Sequence, residues 1–328
     1  MDHLLEINHL DTTYTVHSED RILVHDVSLH VDSGETLCLV GESGSGKSLT
    51  MLSVLGLLKN NGRITSGSIR FENQEIQNLT DRQLDKIRGS RISMIFQDAL
   101  TSLNPVFTIR NQIEEIIDAH LKISGKERNE KMIDLLNKVG LSDQELILKK
   151  YPHELSGGQR QRVLIAIALA CNPKVLIADE PTTALDVTIQ AEIMNLLDRL
   201  KKKMNMALIL ITHDMGLVAQ MADRVAVMYA GQIIEEAKVN DIFFCPKHPY
   251  TKALLQSIPD VGLSKSKKIE PIKGVVPENY YQIKGCRFAE RCAFRQLTCT
   301  QNVQSLKKLQ ETSVRCQHAE QLPSGEQR

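Results

Sequence analysis

The sequence predicts an α/β fold around a buried, mostly parallel sheet, and two kinds of segment predict it. Short apolar runs at residues 36–40, 175–178 and 207–211 read as strands, the second of them fully buried, and the first leads through a polar Gly-rich turn into a helical stretch. Strand-like and helix-like segments alternate from Leu4 to about Lys59 and again from Lys174 to Glu235, which is the pattern of an α/β core. Between them, roughly Pro105 to Leu155 reads as helices. Ile113, Ile116, Ile117 and Leu121 share one apolar face, and Met132, Leu135, Leu136 and Val139 share another. A chain of 328 residues exceeds one compact domain, so two or three units are expected. The boundaries fall at 1–258, with a helical subdomain at about 105–155, and at 259–328 for a C-terminal extension.

The run Gly41, Glu42, Ser43, Gly44, Ser45, Gly46, Lys47, Ser48 spells G-x-x-x-x-G-K-S between the strand 36–40 and a helical stretch, 49–58. Glycines there let consecutive backbone N–H groups face phosphates, and the helix start adds partial positive charge. The nucleotide set therefore runs through Gly41, Ser43, Gly44, Ser45, Gly46, Lys47 and Ser48 to Leu49. Lys47 is expected to reach the β and γ phosphates of ATP, and Ser48 to hold Mg²⁺ through its hydroxyl. A second polar turn, Ser156, Gly157, Gly158 and Gln159, precedes another helical stretch, 163–170, so a second helix start offers free N–H groups. Two such ends in one chain, about a hundred residues apart, serve one nucleotide if two chains meet head to tail. A simple helix cap at Ser156 is compatible with this reading.

The strand 175–178 ends in Asp179 and Glu180, and acids at that end of a doubly wound sheet lie beside the phosphate cradle. With both phosphate turns, these residues make the chain closely similar to the ATP-binding subunits of ABC transporters, over nearly its whole length. The resemblance implies a P-loop NTPase core of ABC type, with a helical signature subdomain and an N-terminal β subdomain. It implies that Ser156, Gly157 and Gly158 contact the γ phosphate held by a partner subunit. Asp179 is then the acid that supports Mg²⁺, and Glu180 the catalytic residue that polarises the attacking water. Asp186, in the segment 181–186, belongs to the dimer seam. His213 resembles the switch histidine, and Gln97 the residue that binds near Mg²⁺ and relays movement to a membrane partner. Tyr14 matches the aromatic that stacks on adenine.

Lys plus Arg and Asp plus Glu stand at forty each, so composition offers nothing to a nucleic-acid partner. No apolar run approaches about 18 residues, and no basic segment with an apolar core opens the chain. The expectation is a peripheral protein at the cytoplasmic face of the cell membrane. Neither an internal repeat nor a second P-loop is present, so a second nucleotide-binding chain is needed. The charge run 264–268 reads as solvated linker.

Four of seven cysteines crowd the tail: Cys286, Cys292, Cys299 and Cys316, spaced C-x5-C-x6-C-x16-C. In a cytosolic chain disulfides are disfavoured, so the cluster points to zinc or to iron–sulfur, and spacing does not choose between them. Cys38, Cys171 and Cys245 read as ordinary core or surface thiols. The tail sequence His248, Pro249, Tyr250, Thr251 resembles the peptide and nickel branch of ABC importers, in which such cysteines can ligate a 4Fe-4S cluster. The stretch 96–105 follows the extended Q-loop of peptide importers, with Ala99 where many relatives carry Pro. Residues 221–231 resemble the D-type subunit of a heterodimeric pair. The resemblance thus implies import of oligopeptides or dipeptides with an F-type sister ATPase, two transmembrane permease subunits and an extracytoplasmic solute-binding protein. A nickel or metal-chelate importer is the alternative within transport. A soluble ABC ATPase of DNA repair or translation is disfavoured, because neither tandem nucleotide domains nor a long coiled-coil insertion appears.

Overall fold

The computed structural model describes residues 3–97, 102–183, 185–257 and 272–321. Expectations for the loop at 98–101, including Ala99, for the 258/259 boundary and for the charge run 264–268 lie outside those residues. The strands run in chain order β1 Leu5–Val16, β2 Glu19–Val31, β3 Thr36–Val40, β4 Gly62–Phe71, β5 Gln74–Glu75 and β6 Ile92–Ile95. They continue with β7 Val175–Asp179, β8 Ala207–Thr212, β9 Arg224–Tyr229, β10 Gln232–Lys238, β11 Lys307–Leu309 and β12 Thr312–Val314.

Two sheets result. One is antiparallel, in the order β2-β1-β4-β5, and the other has eight strands in the order β11-β12-β10-β9-β3-β8-β7-β6. Within the larger sheet β9, β3, β8, β7 and β6 are parallel. Every residue of β3, β7 and β8 is buried, as strands covered on both faces require. Successive side chains serve opposite faces. Cys38, Val40, Leu176, Ala178, Leu208 and Leu210 join the core shared with the helical layer. Leu37, Leu39, Val175, Ile177, Ile209 and Ile211 join the core shared with the antiparallel sheet.

The first stretch of alternation is therefore a hairpin followed by a parallel strand, and the hairpin belongs to its own sheet. The helix expected over 49–58 forms as Lys47–Val54. It starts earlier because Gly46 caps it at φ 101, and it ends before Gly56, which lies at φ 61. The helical layer comprises Ile109–His120, Gly125–Lys138, Gln144–Lys149 and Gly157–Ala168. Ile113 and Ile117 are buried against Met132, Leu135, Leu136 and Val139, with Ile116 and Leu121 partly buried beside them. That apolar cluster runs unbroken into the sheet, so the layer shares the main core.

The tail also joins this core. β12 pairs antiparallel with β10, and Phe288 packs edge-on to Tyr229 and Tyr250 at centroid distances of 5.3 and 5.4 Å. Arg315, 3 % exposed, donates to the carbonyls of Ile233 and Gln304 and pairs with Asp26. The C-terminal segment is thus an added edge of the main sheet. Among the described residues, no helix is long and apolar enough to cross a membrane.

Candidate nucleotide site

Because β3, β6, β7 and β8 are parallel, their carboxyl ends lie on one edge of the sheet. That edge carries Gly41 after β3, Gln97 after β6, Glu180 after β7 and His213 after β8. The loop after β3 turns back on itself. Gly41 lies at φ 152, and a Cβ there would sit 2.1 Å from the Met228 carbonyl oxygen, so a side chain is excluded by the neighbouring strand β9. The loop closes around Lys47, which is 6 % exposed and donates from Nζ to the carbonyls of Gly41 at 2.8 Å and Glu42 at 3.0 Å. Burial pulls the Lys47 ammonium below its ordinary pKa, and the carboxylates of Glu180, Asp179 and Glu42 push the other way. Ser45 is buried with its carbonyl accepting from Gly231 N, Ser43 and Gly44 are exposed at the loop tip, and Leu49 packs into the core below.

Asp179 is 5 % exposed, and the nearby Ser48 hydroxyl favours its charged form. Burial raises its carboxyl pKa, and its Oδ1 has no hydrogen-bond partner among the described residues. A buried carboxylate oxygen left open beside a serine hydroxyl suits a hard divalent cation that takes oxygen ligands. Glu180 next to it adopts φ 46, a left-handed conformation that costs a non-glycine residue about 1–3 kcal/mol. Its N–H donates to Ile211 O at 2.9 Å.

Three groups aim at its carboxylate. Gln97 Nε2 donates to Oε2 at 2.8 Å, Thr183 Oγ1 donates to Oε2 at 3.1 Å, and His213 Nδ1 lies 3.2 Å from Oε1. A carboxylate offers about four lone-pair sites, so a position remains for a water molecule. The same amide keeps its carbonyl oxygen as an acceptor. A neutral His213 ring that donates to Glu180 keeps only a lone pair at Nε2; donating to a phosphate at the same time takes the doubly protonated ring.

The second turn is preorganised as well. Ser156 Oγ accepts from Gln159 N at 3.3 Å while Gln159 Oε1 accepts from Ser156 N at 3.1 Å, a reciprocal cap at the start of the helix Gly157–Ala168. Gly157 and Gly158 lie against Leu185 and Ile189, where a Cβ would approach to 3.3 and 3.0 Å. Asp186, exposed, caps the helix Val187–Met204 by accepting from Ile189 N at 3.0 Å. The second turn and the segment around Asp186 therefore lie against one another through Leu185 and Ile189. Tyr14 lies in β1 with its ring over Gly62, where a Cβ would fall 2.5 Å from Cζ.

Sequence reasoning passed over Thr183, Glu42, Tyr250 as a loop contact, and Arg291. Thr183 sits inside the 181–186 segment already singled out, so its proximity to Glu180 was within reach. The others meet only through the tail's return to the sheet.

A P-loop in front of an Asp–Glu strand end, with a separate glycine-led signature turn, defines an ATPase of the ABC cassette class. A protein-family model described as ABC transporter matches residues 24–183, and one described as Oligopeptide/dipeptide transporter, C-terminal region, matches residues 234–299. The chain is 50 % identical over 307 residues to the oligopeptide transport ATP-binding protein AppD of Bacillus subtilis, covering 93 % of each. It is 46 % identical over 313 residues to the dipeptide transport ATP-binding protein DppD of Haemophilus influenzae, covering 95 % of this chain and 94 % of that one. Among solved structures, the dimeric ATP-binding cassette MJ0796 in a post-hydrolysis state with ADP and Pi superposes with a TM-score of 0.64 at 32 % identity, covering 72 % of this chain and 98 % of that one. CbiO1 of Clostridium perfringens, part of the cbiONQ transporter complex, matches with a TM-score of 0.64 at 30 % identity, over 74 % and 91 % of the two chains. The chain belongs to the ATP-binding subunits of ABC transporters, in the oligopeptide/dipeptide branch.

Proposed function

We propose that this chain hydrolyses ATP as one half of a paired ATPase that drives import of oligopeptides or dipeptides. The observation that carries the reading is the Glu180 carboxylate, oriented by Gln97, Thr183 and His213 beside the open Asp179 oxygen and within electrostatic reach of Lys47. Lys47 and the loop N–H groups hold the phosphates, Ser48 and Gln97 offer oxygens to Mg²⁺ with Asp179 behind them, and Glu180 takes the proton of the attacking water. Bound Mg²⁺ would neutralise charge on the β and γ phosphates. Tyr14 takes the adenine face.

Ser156, Gly157, Gly158, Gln159 and Asp186 serve the nucleotide of the opposing subunit, an F-type sister chain. Val187, 83 % exposed directly after Asp186, supports a seam there. ATP favours the closed pair because only that state makes both sets of contacts. An apolar groove lined by Leu57, Phe96, Ile116, Leu164 and Ile167 adjoins Gln97 and supports docking of the two permease subunits. The protein is then peripheral at the cytoplasmic face, and a solute-binding protein delivers cargo on the far side. Uptake of a labelled short peptide and of labelled nickel, in cells carrying wild type or Glu180→Gln, tests the cargo. Peptide uptake is expected to fall while nickel uptake holds; the reverse moves the chain to metal import.

The tail cysteines are proposed to hold a 4Fe-4S cluster. The Cys299 sulfur accepts from Gln296 N at 3.5 Å and from Gln317 Nε2 at 3.8 Å. Such donors stabilise metal-bound thiolates. Burial pushes the Cys286 thiol up to about 12, with the other three cysteines adding to the rise. A single zinc with Zn–S bonds of about 2.3 Å would draw its four sulfurs to about 3.8 Å from one another. Anaerobically prepared protein is expected to carry iron with acid-labile sulfide and to lose both in Cys299→Ser. A colourless protein with one zinc per chain would replace the cluster by zinc.

A further inference from the structure

The tail grips the phosphate loop at its second residue. The hydroxyl of Tyr250 accepts the N–H of Glu42 at 3.0 Å, and Tyr250 is itself placed by its N–H donating to His248 Nδ1 at 3.0 Å. The guanidinium of Arg291 meets the Glu42 side chain, with Nη1 at 3.1 Å from both carboxylate oxygens. The Arg291 side chain is 6 % exposed and that of Glu42 28 %. Remaining donors of Arg291 go to the Lys273 carbonyl at 2.8 Å and the Gly274 carbonyl at 3.2 Å, and Nη1 also reaches the Tyr229 hydroxyl at 3.3 Å.

Glu42 is an awkward residue for a phosphate cradle. Its carbonyl accepts from the Lys47 ammonium, so its carboxylate stands on the same short loop as the cation meant for the phosphates. An unpaired carboxylate at that place repels an incoming polyanion and competes for Lys47. The paired, largely buried guanidinium cancels that charge without occupying the loop's N–H groups.

We propose that Arg291 is a positioning residue for ATP binding: it cancels the Glu42 carboxylate and fixes the entrance of the phosphate loop, so the tail sets the affinity for nucleotide. Arg291 is the chain neighbour of Cys292, which makes the cysteine element the anchor of this strut. The inference rests on the loop being the ATP cradle.

The test is equilibrium titration of the full chain with a fluorescent ATP analogue and Mg²⁺, together with thermal unfolding of each variant. Arg291→Ala is expected to weaken binding about tenfold or more. Glu42→Gln, which removes the charge and keeps the shape, is expected to stay within about threefold of wild type, and the double variant to return to that level. Cys292→Ser is expected to weaken binding and to add little in the Arg291→Ala background. Unchanged affinity in Arg291→Ala, or a double variant as weak as Arg291→Ala, would overturn the charge-cancelling role. A purely structural role lowers the melting temperature of Arg291→Ala without any recovery of affinity in the double variant. Full affinity in Cys292→Ser would remove the cysteine element from the strut. Lys47→Ala runs alongside: if it too binds normally, the cradle assignment fails and not the strut.

Discussion

Glu180→Gln is expected to bind ATP while losing roughly 10²- to 10⁴-fold in turnover, the usual contribution of a general base. The amide keeps the size of the carboxylate and one acceptor oxygen, so it can still receive Gln97 or Thr183. What it loses is the capacity to take a proton from water. The Glu180 N–H bond to the Ile211 carbonyl does not involve the side chain, so the fold is expected to survive. Single-turnover hydrolysis by the assembled transporter checks this, with nucleotide binding measured on the same preparation. Turnover within a few-fold of wild type would take Glu180 out of the base role and leave its carboxylate as a clamp for Gln97 and His213.

Lys47→Ala is expected to weaken ATP binding by about ten- to a hundredfold, the span of a lost hydrogen bond to a charged group at about 1.5–3 kcal/mol. Two effects combine. The ammonium no longer meets the phosphates, and the Gly41 and Glu42 carbonyls that it now bridges lose their donor, which loosens the loop. Lys47→Met removes the charge and the donor together but restores the buried stem, so its difference from Lys47→Ala reports what packing of the stem contributes. Calorimetric titration of both variants checks the expectation; affinity equal to wild type in Lys47→Met would mean that loop shape, and not charge, carries phosphate binding.

Much of this site was legible along the chain. The spacing of Gly41, Gly46, Lys47 and Ser48 reports a backbone that must bend where no Cβ fits, and the clash of a Cβ at Gly41 with Met228 O bears that out. The apolar strands ending in Asp179 and at His213 were readable because both faces of β7 and β8 are covered, which leaves an uninterrupted apolar run. The capping pair at Ser156 and Gln159 is a local four-residue device and equally visible. Less legible was the start of the chain, where the hairpin β1–β2 belongs to a separate antiparallel sheet: alternating strand and helix character carries no record of which sheet a strand joins. Nor did the tail's cysteines disclose that β12 completes the main sheet next to β10.

The chain by itself determined the chemical parts: a glycine-rich loop before a helix start, two acids at a strand end, a second helix start, and four thiols in the tail. Each depends on residues within a few positions of one another, where backbone sterics and spacing act directly. Tertiary structure alone decided how those parts meet. Gln97 reaches Glu180 across 83 residues because β6 and β7 are adjacent and parallel, and Arg291 reaches Glu42 across 249 because the tail folds back over Tyr229 and Tyr250. Contacts of that length depend on strand order and on the packing of a shared core, and no local pattern encodes either one.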